Sequence, residues 1–366
     1  MKLVATEEQT ALAEMARTWV DAEGPVGHLR DLREQHDELG WDRARYASMA
    51  ELGWPAILIG EEHGGLELGM AELAVVLEAL GRSLTPSPLH SATLLGGNGM
   101  SLAASPAQQA HWLPSIADGS AVVTLAWSEH HHFDPNHFST RATRSGQEWA
   151  LTGTKRHVAD GHGANAWIVS AQTEGGPALF LVEPGEGATT TRTWRVDGRN
   201  VATLQLDNAK AERLPGADGV LRRLLDFATI GLCAEMLGSA EGAFATTLAY
   251  LHEREQFGVK IGSFQALQHR AVRLFVKIEL ARSAVMAATR LADPDADTLS
   301  RYASLAKVRT SEAFVKVAEE AVQMHGGIGM TDECDIGFYL KRAQTTSTLL
   351  GDAGWHRRRW ARLGGY

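Results

Sequence analysis

Apolar residues recur at helical spacing along the first third of the chain. Residues 7–20, 41–52 and 70–80 each place their apolar side chains on one face of a helix. A glycine-rich stretch at residues 60–69 separates the second pattern from the third, as expected of a loop. Residues 3–117 are therefore predicted to be mostly helical.

Between residues 121 and 206 the apolar period changes from that of a helix to that of a strand. Short apolar and β-branched runs alternate there with turn signals, including Ser145-Gly146 and Glu174-Gly175-Gly176. The runs lie at residues 122–127, 140–144, 148–151, 166–172, 178–183 and 201–206. Several short strands at this spacing predict a small sheet or barrel.

Helical spacing returns from residue 219 to the end of the chain. Three long amphipathic patterns cover residues 221–255, 264–292 and 299–324, and a weaker one covers residues 339–363. Pro294, which lies among aspartates, separates the second pattern from the third because proline cannot continue a helix. Four such helices predict a bundle.

The order of these patterns predicts a multidomain α+β protein. We expect an N-terminal helical domain at residues 1–118, a middle β-barrel domain at 119–212 and a C-terminal four-helix bundle at 213–366. The length of 366 residues suits two or three domains. An apolar fraction of 44% and a charged fraction of 22% are typical of a soluble globular protein.

Charge and cysteine usage exclude several function classes. A net charge of −9 argues against broad affinity for nucleic acid. Cys233 and Cys334 are far apart and have no metal-like spacing, which fits a reducing compartment without disulfides. The N-terminus turns acidic too early for a secretory signal, and no apolar run approaches the roughly 18 residues of a membrane span. We therefore expect a cytoplasmic protein with neither nucleic acid nor membrane as a partner.

The junction between the first two long helical patterns has the most specific sequence. It reads Arg254-x-Gln256-Phe257-Gly258-x-x-Ile261-x-x-Phe264-Gln265-Ala266-x-Gln268-His269. A later segment reads Gln323-x-x-Gly326-Gly327-x-Gly329. Both strings resemble the flavin-dependent acyl-CoA dehydrogenase family, whose three domains follow the same order. Weaker similarities at residues 52–65 and 155–169 extend the resemblance over nearly the whole chain.

The resemblance implies FAD as the cofactor, held in part by a neighbouring subunit. Arg254 would pair with a phosphate oxygen as a charged fork, and Gln265 would hydrogen-bond the adenosine half. Gly326 and Gly327 would let the backbone approach a phosphate, although such a pair could also be only a helix C-cap. The implied cofactor-binding residues are Arg254, Gln256, Phe257, Gln265, Gln323, Gly326 and Gly327.

Residues that the family places beside the flavin ring are largely replaced here. The family pattern Thr-Glu-Pro-x-Ala-Gly-Ser-Asp reads Ala126-Trp127-Ser128-Glu129-His130-His131-His132-Phe133, and the family's Trp-x-Thr reads His157-Val158-Ala159. Three consecutive histidines invite a metal interpretation. Adjacent side chains point in different directions and rarely converge on one ion, so we expect a solvated loop and no metal site.

The family's catalytic glutamate has no counterpart at either of its two positions. After the glycine segment its position is taken by Leu350, and on the first bundle helix it is taken by Ala228, followed by Thr229. Asp352 is the nearest substitute and the only catalytic candidate, although a solvated or capping role suits it better. Glu235, seven residues after Ala228, is expected to form a structural ion pair.

The sequence favours the first of three functions and leaves the other two open as alternatives. The chain could be a subunit of an FAD-dependent acyl-CoA dehydrogenase whose related partner supplies the base, in a heterotetramer of lipid or steroid catabolism. It could be a self-sufficient homo-oligomeric dehydrogenase with a non-standard base. It could also be a protein of this fold recruited to a non-oxidative reaction or to binding. For the dehydrogenases, the resemblance implies an acyl-CoA or acyl-carrier thioester as substrate and electron-transfer flavoprotein as acceptor.

Overall fold

The N-terminal part of the chain is helical, as predicted. The computed structural model describes residues 4–146, 148–216, 219–291 and 294–366. The helices are α1 (Glu7–Glu23), α2 (Val26–Glu34), α3 (Arg43–Glu51), α4 (Met70–Arg82), a π-helical segment (His90–Gly97), α5 (Asn98–Ala103) and α6 (Pro106–Ala117). Side-chain caps start several of them. Thr6 and Ser105 each form a capping box with the glutamine three residues on, and Asp42 accepts from the Arg45 amide.

The middle segment forms a closed sheet. Its strands are β1 (Val123–Ala126), β2 (Arg141–Ser145), β3 (Glu148–Ala159), β4 (Ala166–Thr173), β5 (Gly176–Val182), β6 (Ala188–Trp194) and β7 (Asn200–Arg213). The pairings β4–β2, β2–β3, β3–β7, β7–β5 and β5–β4 return to the starting strand, while β1 pairs with β4 and β6 pairs with β7. The predicted barrel and both hairpins are confirmed. Gln147, in the first turn, lies outside the described residues.

Two strand predictions need correction. Strand β6 was not predicted, because its Ala-Thr-Thr-Thr-Arg-Thr-Trp sequence contains no apolar run and it pairs with β7 along one edge only. Strands β3 and β7 are also longer than predicted. Register shifts in their pairing interrupt the two-residue period that the prediction relied on.

The C-terminal part consists of long helices. They are α7 (Val220–Glu253), α8 (Gln265–Thr289), α9 (Ala296–His325), α10 (Ile336–Thr348) and α11 (Ala353–Leu363). The break at Pro294 is confirmed, and Asp295 caps α9 by accepting from the amides of Asp297 and Thr298. Ala292 and Asp293 lie outside the described residues. A helical region at this end of the chain is therefore confirmed.

The predicted fourth helix over residues 339–363 is wrong, since two helices occupy this stretch. Leu350 and Gly351 both have positive φ, at 57° and 100°, so the helix cannot continue through them. Asp352 then begins α11 as its N-cap. The apolar pattern ran across the break because Leu349 and Leu350 kept the helical spacing.

The junction between α7 and α8 folds into a small hairpin. Its strands are β8 (Glu255–Gln256) and β9 (Val259–Lys260), and a short 3-10 turn (Ile261–Ser263) leads into α8. Phe257 and Gly258 form the tip with φ values of 56° and 77°. This left-handed pair is the backbone that a two-residue hairpin requires.

Residue contacts divide the chain into two units. The first contains residues 1–31, 70–85 and 229–366, and the second contains residues 32–69 and 86–228. The three domain boundaries drawn from the sequence stay a prediction. In the first unit α4 and α7 touch at their backbones, because a Cβ on Gly81 or Gly238 would collide with a carbonyl of the other helix. Among the described residues, no helix is both long and apolar enough to cross a membrane.

Candidate functional site

The β8–β9 hairpin presents three of the predicted cofactor residues to solvent. Phe257 is 92% exposed at its tip. Arg254 is also exposed, and its side chain has no ion pair or hydrogen bond within the described part of the chain. Its backbone is nevertheless fixed, since its amide donates to Tyr250 O and its carbonyl accepts from Ile261 N, both at 2.9 Å. The backbone of Arg254 is therefore fixed, while its guanidinium is exposed and unpaired within the described residues.

The glycine segment forms the turn at the end of α9. Gly326 is the C-cap of α9 with a φ of 67°, a conformation that favours glycine. Gly327 has no positive φ, and a Cβ placed on it would meet nothing within 4 Å. The fold itself therefore does not demand glycine at position 327. An open backbone there suits close approach by a group from outside the chain.

Side-chain contacts join the helix ends from which the hairpin and the glycine turn extend. The rings of Tyr250, near the end of α7, and His325, at the end of α9, stack with centroids 4.4 Å apart. His325 Nδ1 lies 2.7 Å from Ala321 O, and burial lowers the pKa of this ring, which keeps it neutral at pH 7. Arg270 of α8 pairs with Glu320 of α9, with Nε and Oε2 at 2.6 Å. The seven predicted cofactor residues thus lie around the adjoining ends of α7, α8 and α9, and all are exposed.

An unusually apolar surface borders these residues. The α8 face, as we call it, consists of Val272, Phe275, Val276 and Leu280, which are all exposed at helical spacing. Further exposed apolar side chains lie on the hairpin, at the start of α8 and in the glycine turn. They are Val259, Phe264, Ile328 and Met330. Several exposed apolar side chains on one helix face favour an interaction surface there.

The connection between α10 and α11 contains Leu350, which stands where the family has its catalytic glutamate. Buried hydrogen bonds hold this connection in place. Lys307 of α9 is fully buried, and its Nζ donates to the carbonyls of Thr346, Ser347 and Gly351 at 2.8, 3.1 and 3.0 Å. His356 Nε2 lies 2.9 Å from Leu350 O. Sequence reasoning missed Lys307, although a lone lysine among the apolar positions of α9 was a usable signal.

The two carboxylates weighed in the sequence both have structural partners. Asp352 Oδ1 accepts from the Trp355 amide at 2.7 Å, which is the N-cap bond of α11. Glu235 is buried and pairs with Arg342, with Oε1 and Nη2 at 2.6 Å, so the expected structural ion pair is confirmed. The side chain of Leu350 is buried and has no group that could accept a proton.

Glu129 does not lie in a solvated loop, which corrects the sequence interpretation. Its side chain is only 5% exposed and lies 2.7 Å from Nζ of the fully buried Lys155. Ser139 and Thr140 add four hydrogen bonds from their amides and hydroxyls, which close the loop between residues 129 and 140 at its base. Burial opposes ionisation of Glu129, but the bonds from Lys155, Thr140 and Ser139 outweigh it and lower its pKa to about 2.

Three histidines belong to this closed loop, and a fourth, His157, lies beside it; their rings do not form a metal site within the described residues. His130 stacks on His132 with ring centroids 5.4 Å apart, and His131 lies 6.0 Å from His157. His157 sits in a bulge of β3 with a φ of 57°, and burial together with the nearby positive groups lowers its pKa. Within the residues that the structure describes, no cluster of His, Cys, Asp or Glu is placed to hold a metal ion.

Comparison with known protein families agrees with this geometry. A model of the acyl-CoA dehydrogenase N-terminal domain matches residues 6–120, and a model of the C-terminal domain matches residues 216–364. The chain belongs to the acyl-CoA dehydrogenase family. Membership confirms the expected fold, FAD as the cofactor, and an oxidoreductase that acts on the CH–CH bond of an acyl-CoA.

Relatives cover almost the whole chain. Acyl-CoA dehydrogenase IpdE2 of Mycolicibacterium smegmatis is 32% identical over 350 residues, which are 94% of this chain and 95% of that protein. Acyl-CoA dehydrogenase FadE27 of Mycobacterium tuberculosis is 30% identical over 99% and 98% of the two chains. The similarity to both relatives therefore extends through the N-terminal helices, the barrel and the C-terminal helices.

Two similar solved structures contain pairs of proteins. The ChsE4-ChsE5 complex from Mycobacterium tuberculosis matches with a TM-score of 0.92 and 29% identity over 100% of this chain and 99% of the matched one. A variant of the Tcur3481-Tcur3483 steroid acyl-CoA dehydrogenase matches with a TM-score of 0.89 and 31% identity over 98% of each chain. Both confirm that the chain resembles the branch of the family that pairs with a related chain.

Proposed function

We propose that this chain is the supporting subunit of an FAD-dependent acyl-CoA dehydrogenase. The enzyme would catalyse α,β-dehydrogenation of an acyl thioester, and a related chain would supply the base and complete the flavin site. The observation that carries the proposal is the exposed surface around Arg254 and Gly327. Every predicted cofactor residue lies there, and exposed apolar side chains border it.

The residues of this surface fit one half of the cofactor. The guanidinium of Arg254 has no partner within the described part of the chain, and it could bind two phosphate oxygens as a fork. Gly327 leaves its backbone open for approach by a phosphate. Gln265 and Gln323 add exposed amides that can hydrogen-bond an adenosine. FAD, when bound, supplies the hydride acceptor of the dehydrogenation.

Proton removal is the step that this chain does not provide. Leu350 and Ala228 occupy the two positions where the family places its glutamate, and both side chains are buried and apolar. Asp352 lies two residues beyond Leu350, and its carboxylate already caps α11. A general base must reach its proton and needs a suitable pKa. A carboxylate from a partner chain meets both needs without rearranging the connection between α10 and α11.

The similar structures support a partner of the same family. ChsE4-ChsE5 and Tcur3481-Tcur3483 are each pairs of proteins, and the second is a steroid acyl-CoA dehydrogenase. We accordingly propose an acyl-CoA of lipid or steroid catabolism as the substrate, a heterotetramer as the assembly and electron-transfer flavoprotein as the acceptor. A thioester on a carrier protein is the alternative form of the same substrate.

The first test is the absorbance spectrum of the chain purified alone and after co-expression with its related chain. No flavin alone, and about one FAD per pair on co-expression, is the expected result. One FAD per chain in the protein alone would favour the self-sufficient homo-oligomer. Absence of FAD in both preparations would favour a non-oxidative or binding role and would refute the proposal.

Substitution of Arg254 tests the same surface at one residue. Arg254→Ala should lower the flavin content of the purified pair, because a phosphate partner is lost. Arg309→Ala is the matched control, since Arg309 is an exposed arginine in the middle of α9, away from the glycine turn. Flavin content that is equal in both variants would remove Arg254 from the cofactor site.

A further inference from the structure

Residues 332–338, which follow the glycine turn, are held by Arg30 near the N-terminus of the chain. Arg30 of α2 donates from Nη1 to Asp332 O at 2.6 Å and from Nη2 to Asp335 Oδ1 at 2.7 Å. Its guanidinium carbon also lies 4.9 Å from the centre of the Phe338 ring. One side chain thus contacts the backbone, a carboxylate and an aromatic face within residues 332–338.

This set of contacts uses properties that only arginine has. Its planar fork directs two charge-assisted hydrogen bonds along fixed lines and can lie on an aromatic ring at the same time. The Phe338 ring is buried, so the surface under the guanidinium is itself fixed. Lysine would keep the charge but could not hold both oxygens in this geometry.

Asp335 bonds to Arg30 and does not cap its own helix. It occupies the N-cap position of α10, where an aspartate commonly accepts a hydrogen bond from the first turn of its helix. Its side chain makes no such cap bond, and its carboxylate is bonded to Arg30 instead. Lys341 Nζ lies 3.7 Å from Asp332 and adds a second positive charge beside the segment. The beginning of α10 is therefore arranged around Arg30.

The glycine turn lies between this contact and the end of α9. On the α9 side, His325 is buried and stacks on Tyr250. On the other side, Thr331 donates from its amide and its hydroxyl to Ile328 O at 3.0 and 2.8 Å. Four of the five residues between, 326–330, are exposed, and Gly326 and Gly327 have open space where a Cβ would be. Gly329, the buried member, packs against α9, since a Cβ on it would lie 2.8 Å from Val322 O. Gly326 and Gly327 lack such packing, and their placement depends on α9 on one side and on residues 331–335 on the other.

We propose that Arg30 is a positioning residue for the cofactor surface. By holding residues 332–335 it fixes the far end of the glycine turn, and so it sets how the backbone of Gly327 meets a phosphate. Arg30 does not itself touch the cofactor. The inference rests on the proposed function, because the turn is taken to bind FAD.

Hydrogen exchange in the full chain without cofactor tests directly whether Arg30 fixes residues 326–335. Arg30→Met should raise the exchange of amides 326–335 several-fold and leave the core of α9, residues 303–318, unchanged. Arg17→Met is the matched control, because Arg17 is an exposed arginine of α1 with no ion pair among the described residues. Unchanged exchange of residues 326–335 in Arg30→Met would overturn the proposal.

FAD affinity of the assembled pair tests the consequence. Arg30→Met should weaken it by about tenfold, which is the scale of a lost charge-assisted hydrogen bond. Arg30→Lys should recover only a small part of that loss, because the charge alone does not rebuild the fork. Raised exchange with unchanged affinity would overturn the positioning role. If the unaltered pair takes up no FAD, the proposed function fails, and hydrogen exchange alone then decides whether Arg30 fixes the turn.

Discussion

Replacing Lys155 by methionine should destabilise the barrel severely, because it leaves a buried carboxylate without its counter-charge. The Lys155 side chain is fully buried, and Nζ lies 2.7 Å from Glu129 Oε1 and 3.1 Å from Ser170 Oγ. Burial lowers the pKa of Lys155 to about 8 against the support of Glu129, so the pair is still ionised at pH 7. Methionine has a similar length and volume, and the substitution therefore tests the charge more than the packing.

The size of the effect follows from what remains around Glu129. Breaking a buried ion pair commonly costs about 3–5 kcal/mol. Here the carboxylate keeps its four hydrogen bonds from Ser139 and Thr140, so we expect the lower end, about 3 kcal/mol. That loss corresponds to a fall of about 4 °C in the midpoint of thermal unfolding when the whole chain of 366 residues unfolds as one unit.

The contribution of Glu129 should also depend on pH in a defined window. The pKa of Glu129 is lowered from 4.5 to about 2 in the folded protein. A carboxylate with a depressed folded pKa stabilises the protein above its unfolded pKa, and this stability is lost as protons bind. The stability advantage of the unaltered chain over Glu129→Gln should therefore be full above pH 5 and should shrink as the pH falls towards 2.

Thermal unfolding of four proteins measures these effects: the unaltered chain, Lys155→Met, Glu129→Gln and the double variant. The double variant should be more stable than the sum of the two single losses predicts, because the two side chains interact directly. Lys210→Met is the matched control, since Lys210 pairs with Glu148 in the same barrel but both side chains are largely exposed. Strictly additive losses, or a Lys155→Met loss no larger than that of the control, would refute the reasoning.

Two further substitutions test the catalytic and interface assignments. Asp352→Asn should keep the turnover of the assembled enzyme within a few-fold, because asparagine preserves the N-cap of α11 and Asp352 is not the base. A loss of roughly 10²-fold in turnover would instead identify Asp352 as a general base. Val276→Glu should prevent association with the related chain in native mass spectrometry, since it places a charge on the α8 face, whereas Arg309→Glu on α9 should not. Equal association of both variants would exclude the α8 face from the interface.

Local patterns predicted the elements of this fold better than their ends. The helices and most strands follow apolar periods that a short window of sequence contains, and Pro294 marks a break by its own chemistry. Strand β6 has no apolar run of its own, so the apolar pattern does not predict it. The break at Leu350 lies in an apolar pair that fits a helix, and only the positive φ reveals it.

In the candidate site, local sequence patterns likewise fail to predict contacts between residues far apart in the chain. The string from Arg254 to His269 carries the family resemblance locally, and the structure adds its hairpin, its fixed backbone and its exposure. Glu129 was misread because three histidines follow it, whereas its partner Lys155 lies 26 residues away. Arg30 and Asp335 are separated by 305 positions along the chain. Long-range ion pairs of this kind depend on the folded chain path, which no local period encodes.

The connection between α10 and α11 would have to rearrange before Asp352 could take the position of the family's glutamate. Moving the Asp352 carboxylate to the position of Leu350 would break its bond to the Trp355 amide. The same shift would disturb the carbonyls that Lys307 and His356 hold on both sides of Leu350. The two buried bonds, from Lys307 to Gly351 O and between His356 and Leu350 O, would each cost about 1–3 kcal/mol if lost without replacement, which is a substantial share of the stability of a typical domain. Because Phe257 and the α8 face already offer apolar surface for a second chain, we infer that the proton acceptor comes with that chain.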